Sequence, residues 1–546
     1  MVLGPWGLAV YVAGLGASLD GPEAVPRYDA AESTIRAEPA AGNPFTDIQV
    51  EGVFSLADGR SIRVAGFCDS QDGGVYRLRF CPDRAGETYA YRITLAGPNL
   101  DEAFEGRLRC VESDSPGPAI VDPRHPKHFL RAGTGRPFYH LGYTAYHLLD
   151  TSNTDDQIRD TIDYCARHGF NKIRFLLTGY PRDQDDRAPT ATRDGRPGGW
   201  DEPNYGAPPG QVNPLPAWLG APHEYDFSRF NIAYWQRADM AVRLMRERGI
   251  VATCIMTIEK QGLPDEYGAR TDNERRLYAY AVARLAAYDN VWWDLGNEHN
   301  EYRDTAWGDF MGGLVKEQDP YDRLASAHGY AEFAYGGSPW ADYIITQQYG
   351  TEQEVYDWAL RYSAVPKPYV NEEYGYEGEG DQPGHRQNAD WVRRCHWAIA
   401  LAGGYATYGD WHDTAFYTGE TSMGVAAKQL VHLRALFEEL PFVEMVPAPE
   451  VTSEGFCLAK PDDTYLVYLP RGGAATLRLP EGEPIGVGAT SVAKPLLSAD
   501  GASRLKSLLR AEWVDPRTGD RRPAELGEAT VVAPDEQDWA LVLRAG

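Results

Sequence analysis

The feature that most constrains this chain is a change of period near Val121, beyond which short apolar strands alternate with amphipathic helical segments. That alternation implies βα units and a parallel sheet with helices packed outside it. Strands are expected at 138–143, 172–177, 250–255, 291–295, 324–327, 343–346, 369–370 and 405–408. Helices are expected at 155–168, stopped by Gly169, and at 230–248, ended by Gly249. Two capping boxes, Thr271-x-x-Glu274 and Thr351-x-x-Glu354, open further helices, and 391–401 is helical. The fold class this predicts is α/β: a (β/α)8 TIM barrel over 121–440, carrying one long insertion at 178–228.

The flanks read differently. At 546 residues the chain exceeds one hydrophobic core. Residues 26–120 alternate in the β period (Ile48, Val50, Gly52, Phe54), with a turn at Asp58-Gly59 and a linker at Pro116-Gly117-Pro118. A small antiparallel β-sandwich is expected there, and a second at 441–546 with strands near 456–459, 465–469, 475–479, 512–514 and 539–543. Residues 1–25 read as a leader or appended segment. They lack the charged start of a secretory signal, since no Lys or Arg precedes Arg27. No stretch approaches 18 uninterrupted apolar residues, so no membrane span is expected.

A balance of 53 basic against 79 acidic residues gives a net charge of −26, which argues against nucleic acid or an anionic membrane as partner. Seven cysteines, odd in number and without CxxC spacing, read as free buried thiols of a reducing compartment. Cys68 and Cys81 could face each other across a hairpin. A cytoplasmic location is the expectation, with secretion through an atypical N-terminal signal as the alternative. Oligomeric state is not legible.

The chemistry gathers at two strand ends. Asn290-Val291-Trp292-Trp293-Asp294-Leu295-Gly296-Asn297-Glu298-His299 is a buried strand that ends in glycine and then presents an Asn-Glu pair. Further on, Lys367-Pro368-Tyr369-Val370-Asn371-Glu372-Glu373-Tyr374-Gly375 delivers a second carboxylate. A barrel places catalytic groups at the C-terminal ends of its strands, and two carboxyl groups are the parts glycoside hydrolysis requires. Glu298 is the candidate acid/base. Asn297 beside it is suited to hold the sugar hydroxyl next to the reacting carbon. Strand alternation sends Glu372 and Glu373 to opposite sides, and Glu373 is the candidate nucleophile, with Tyr374-Gly375 expected to shape the pocket floor. Glu377 and Glu379 read as a solvated loop. Across a barrel mouth the two carboxyl groups are expected roughly 5–5.5 Å apart, the retaining distance.

Other strand ends offer supporting groups: His147 after the first, Glu259 and Lys260 after the third, His328 after the fifth, Gln348 and Tyr349 after the sixth, Trp411 after the eighth. The insertion, rich in aromatics such as Trp200, Tyr205, Trp218 and Tyr225, is expected to wall the site. No HExxH, Walker loop or GxSxG elbow is present, and nothing calls for a metal or cofactor.

These motifs resemble the clan-A retaining glycoside hydrolases. Asn43-Pro44-Phe45-Thr46-Asp47 and Gly66-Phe67 resemble an N-terminal immunoglobulin-like domain that accompanies some of these barrels. Trp513-Val514-Asp515-Pro516-Arg517-Thr518-Gly519 resembles a C-terminal β-domain called collagen-binding, and apiosidase-like hydrolases are related in architecture. The resemblance implies the acid/base at Glu298 and the nucleophile at Glu373. It further implies that Tyr349 bonds the nucleophile and that Trp411 floors a sugar subsite. The implied activity is hydrolysis of an O-glycosidic bond in an oligosaccharide or polysaccharide by a retaining double displacement. The alternatives are a carbohydrate-binding protein on a decayed barrel, or a transglycosylase using the same residues.

Overall fold

The structure, a computed structural model, describes residues 16–39, 41–150, 153–179, 216–220, 224–257, 268–330, 332–378, 386–410, 424–478, 509–526 and 530–545. Its centre is a sheet of eight parallel strands: β1 Gly142–Thr144, β2 Lys172–Leu176, β3 Val251–Ile255, β4 Val291–Asp294, β5 Ala325–Ser326, β6 Ile344–Gln347, β7 Tyr369–Glu373 and β8 Tyr405–Asp410. The order β5-β4-β3-β2-β1-β8-β7-β6 makes a nearly closed barrel. At the seam, where β5 is short, the Ser326 hydroxyl donates to the Tyr343 carbonyl at 2.7 Å and the Asp342 amide to the Ala325 carbonyl at 2.9 Å.

Helices α1 Asp155–Arg167, α2 Ile232–Glu247, α3 Asp272–Leu285, α4 Thr305–Gln318, α5 Glu352–Arg361, α6 Ala389–Leu401 and α7 Val425–Glu439 surround the barrel. Side chains of Thr154, Thr271, Asp304, Thr351 and Asn388 accept the first free amides of their helices, satisfying donors that no intrahelical carbonyl can reach. Thr351 and Glu354 close a full capping box, as do Thr154 and Gln157. Gly169 and Gly249 follow α1 and α2 with φ of +80° and +70°, backbone that glycine adopts without strain.

The first strand begins later than its apolar run. Residues 129–131 pair antiparallel with 119–121, and the Phe138 amide bonds the Phe129 carbonyl at 2.8 Å. The fully buried Phe129 ring meets Trp292 at 4.9 Å and Tyr405 at 5.2 Å between centroids. Because those residues lie at strand starts, this turn plugs the barrel floor.

Ahead of the barrel lie two antiparallel sheets. One is ordered Ser18–Asp20, Ala31–Arg36, Val75–Phe80, Phe67–Cys68; the other runs Ala24–Pro26, Leu100–Val111, Thr88–Gly97, Gln49–Ser55, Ser61–Ala65. In the second, Ala24–Pro26 pairs in parallel with its neighbour. Buried charges join these sheets to the barrel: Arg79 and Arg284 both bond Asp239, and Arg284 also bonds Asp69. Phe45 packs edge-on against Phe230 and Tyr280, while the Asn43 amide donates to Ser228. After the barrel, a six-stranded sheet docks on α6, where Arg393 bonds Asp538 and Trp397 stacks on Tyr468 at 5.0 Å. All seven cysteines are free and buried, Cys68 and Cys81 included. Among the described residues no helix is long and apolar enough to cross a membrane.

Candidate active site

The barrel interior is built in two polar layers by β2, whose five residues are all buried. Lys172 and Arg174, two apart on that strand, both point inward. In the lower layer the Lys172 ammonium bonds Glu372 Oε1 at 2.5 Å and Thr407 at 3.2 Å, and the Thr407 hydroxyl donates to Glu372 Oε2. Burial acts to raise the Glu372 carboxyl, but Lys172 and Arg174 outweigh it and hold the carboxyl below its ordinary value. Glu372 is thus a buried counter-ion.

In the upper layer Arg174 gathers the strand ends. Its Nε bonds Asp294 at 3.1 Å, and its Nη1 donates to the Tyr146 hydroxyl at 2.7 Å and approaches Glu373 Oε1 at 3.4 Å. Its Nη2 donates to Asn297 Oδ1 at 2.5 Å and also to His328 Nδ1. An imidazole nitrogen that accepts from a guanidinium carries no hydrogen. Burial first, and Arg174 next, push His328 well below the usual histidine range, so the ring is neutral. Burial likewise raises Asp294 to about 6 despite Arg174.

Glu373 stands at the mouth among phenols. The Tyr146 hydroxyl bonds its Oε1, the Tyr349 hydroxyl donates to Oε2 at 3.1 Å, and Tyr376 is a third side-chain partner. Burial, then the charge of Glu298, raise its carboxyl above the ordinary value; Arg174, Tyr146 and Tyr376 act against that rise. Glu298 is buried at the start of a short 3-10 turn, His299–Glu301, with φ 48° and ψ 35°. For a non-glycine residue this left-handed backbone costs about 1–3 kcal/mol and persists only where the surroundings enforce it. Here they do: Tyr278 and Tyr302 donate to the carbonyls of Leu295 and Asn297, and the His299 ring bonds Tyr335 and the His328 carbonyl. The Gln347 amide ties the two carboxylates together, donating to Glu298 Oε1 at 2.9 Å and to the Tyr349 hydroxyl at 3.2 Å.

A model described as the apiosidase-like catalytic domain matches residues 124–444, more than half of the chain. The chain belongs to the apiosidase-like family. A second model, of a domain of unknown function (DUF5060), matches residues 24–96. No curated protein matches this apiosidase-like chain at a significant level. Among solved structures, it is similar to a Bacteroides vulgatus protein provisionally named a glycoside hydrolase. That likeness has a TM-score of 0.72 and 20% identity, and covers 96% of this chain and all (100%) of the other. A glycoside hydrolase family 5 protein from the same species is similar with a TM-score of 0.56 and 17% identity, over 79% of this chain and 93% of its own. At these identities the likeness is one of fold.

The structure brings Glu298, Glu373, Asn297, His328 and Tyr349 together around Arg174. It does not bring Gln348 to them: that side chain donates to the Tyr330 carbonyl at 3.2 Å, and its neighbour Gln347 holds Glu298. His147 turns its Nδ1 to Asp150 at 2.7 Å, and its neighbour Tyr146 meets Glu373. Tyr374 is no pocket floor; it bonds His396 and stacks on Trp391 of α6, while Tyr376 reaches Glu373. Glu377 is not a solvated loop residue. Its carboxylate, 4% exposed, accepts the Val425 and Ala426 amides at 2.6 and 2.9 Å and so caps α7.

Trp411, Glu259, Lys260, Glu379, Trp200 and Tyr205 lie outside the described residues. Trp218 is buried against Phe227, in a short hairpin that joins the end of the insertion to the start of α2.

Glu372 and Glu373 do not simply take opposite sides of β7. Thr346 pairs with Asn371 and Gln347 with Glu373, so Glu372 is an extra residue in β7. Such a bulge breaks the two-residue period. Both glutamates consequently reach β2 across the barrel interior, Glu372 in the lower layer and Glu373 at the mouth. Arg174 was missed although the sequence signals it: two cations spaced by two inside an apolar strand require buried carboxylate partners.

Proposed function

We propose that this apiosidase-like chain hydrolyses an O-glycosidic bond of an oligosaccharide or polysaccharide with retention of configuration. The observation that carries the reading is the pair of buried carboxylates joined through Gln347 and Tyr349, each with different neighbours. Arg174, Tyr146 and Tyr376 favour the ionised form of Glu373, which a nucleophile needs. Attack by Glu373 on the anomeric carbon forms a glycosyl ester as the bond to the leaving oxygen breaks. Glu298 gives its proton to that oxygen, then takes one from water, which hydrolyses the ester. Ionised Glu373 also disfavours a second negative charge on Glu298, and this keeps the acid protonated before attack.

Asn297 is oriented for its part. Its Oδ1 accepts from Arg174, which leaves the amide hydrogens to serve a sugar hydroxyl. The sugar is sought by screening aryl glycosides, pyranosides and furanosides alike, an aryl apioside among them because of the family's name. Proton NMR of the first product then reports the anomer. Retention supports the reading, and an inverted product removes Glu373 as nucleophile.

A further inference from the structure

Tyr330 is an aromatic residue on the loop after β5. It is the large apolar side chain exposed at the mouth, 37% accessible; Phe310, Val425 and Val532, the other exposed ones among the described residues, lie on α4, α7 and the C-terminal β-region. An exposed ring on a loose loop would mean little, but this one is held from both sides. The Tyr330 amide donates to Asn300 Oδ1 at 2.9 Å, and its carbonyl accepts from Gln348 Nε2 at 3.2 Å. Its hydroxyl bonds the Glu298 side chain. Burial together with the charges of Glu298 and Glu373 raises this phenol further above its ordinary value, so it stays a hydrogen-bond donor.

The direction of that bond places the ring. A general acid lies beside the oxygen that departs, so a group touching the acid from the solvent side flanks the leaving group. We propose that Tyr330 walls the leaving-group subsite: its exposed face stacks on a sugar ring there, and its hydroxyl sets the proton affinity of Glu298. The inference rests on the glycosidase reading and adds to it a residue that forms the leaving-group subsite. A phenol is apt for both tasks, since it joins an apolar face to a polar tip. Donation from Tyr330 favours ionised Glu298, so losing the hydroxyl raises the carboxyl and lengthens the pH range in which the acid is protonated.

The test compares Tyr330→Ala and Tyr330→Phe with wild type on three substrates of the sugar found by the screen: the disaccharide, the 4-nitrophenyl glycoside and the glycosyl fluoride. Fluoride departs without a ring and without needing a protonated acid. In the Ala variant, kcat/KM on the disaccharide is expected to fall about ten-fold further than on the fluoride, the scale of one lost aromatic contact. A wild-type ratio between those two substrates overturns the assignment. Should the Ala variant melt early, Tyr330→Leu gives the same ratio. The Phe variant keeps the ring, and its alkaline limb of kcat/KM on the disaccharide is expected to move to higher pH; an unmoved limb removes the hydroxyl's part. Wild-type inactivity throughout the screen would instead overturn the glycosidase reading itself.

Discussion

Glu372 and Glu373 are consecutive, both buried and both across the barrel from β2, yet their surroundings differ in kind. Glu372 has a lysine and a threonine on its two oxygens, and its carboxyl is held below the ordinary range. Glu373 has phenols and a guanidinium nitrogen 3.4 Å away, and it lies above that range. A carboxylate closed by a buried ammonium serves as its counter-charge, whereas one held by weaker donors at the mouth is placed to attack. The lower layer holds the barrel together, and the upper layer leaves one carboxylate available for chemistry.

The sharpest way to break this comparison is to neutralise each residue in turn. Glu373→Gln is expected to lose about 10,000-fold or more in kcat, the scale of removing a nucleophile, with an unchanged or higher Tm. Initial rates and thermal melts check it. Glu372→Ala leaves Lys172 buried without its partner and is expected to destabilise the fold by about 3–5 kcal/mol in denaturant unfolding. A joint Lys172→Met, Glu372→Leu change should recover most of that loss, since an apolar pair of similar volume needs no counter-charge.

The smallest effects are those of pH, and they have opposite signs. Because Glu373 is raised in the folded state, its contribution to stability is present at low pH and fades as pH rises through that value. Because Glu372 is lowered, its contribution is present above the ordinary carboxylate value and fades as pH falls. Melts across about pH 2–8 of wild type against Glu373→Gln and Glu372→Gln should therefore give a Glu373 difference that changes above the ordinary carboxylate value and a Glu372 difference that changes below it, with opposite slopes; parallel slopes contradict the two-layer account. Activity should likewise fall on acidification at a pH above the usual carboxylate range. Tyr376→Phe, losing a donor to ionised Glu373, should move that limb higher still.

Much of this was legible in the sequence, for reasons that particular residues show. Apolar strands closed by glycine and helices opened by Thr271 and Thr351 are local signals, and they sufficed for the barrel. The Asn297-Glu298 pair was legible because it follows an apolar strand directly. What escaped depends on non-local geometry. Gln347 rather than Gln348 holds Glu298, and a bulge at Glu372 shifts the register of β7 against β6; nothing in either strand's composition marks it. Tyr146 rather than His147 meets Glu373 because the chain turns after β1, where the strand period no longer applies. Glu377 looked solvated because its partners, the first amides of α7, are backbone groups far along the chain.

The central claim is that Glu373 attacks and Glu298 moves the proton, and azide tests it most directly. With an activated aryl glycoside, Glu298→Ala still forms the glycosyl ester, and azide needs no general base to resolve it. The account predicts a glycosyl azide of retained configuration from Glu298→Ala and of inverted configuration from Glu373→Ala, both read by proton NMR. Azides of the swapped configurations, or hydrolysis undiminished in both variants, would contradict it.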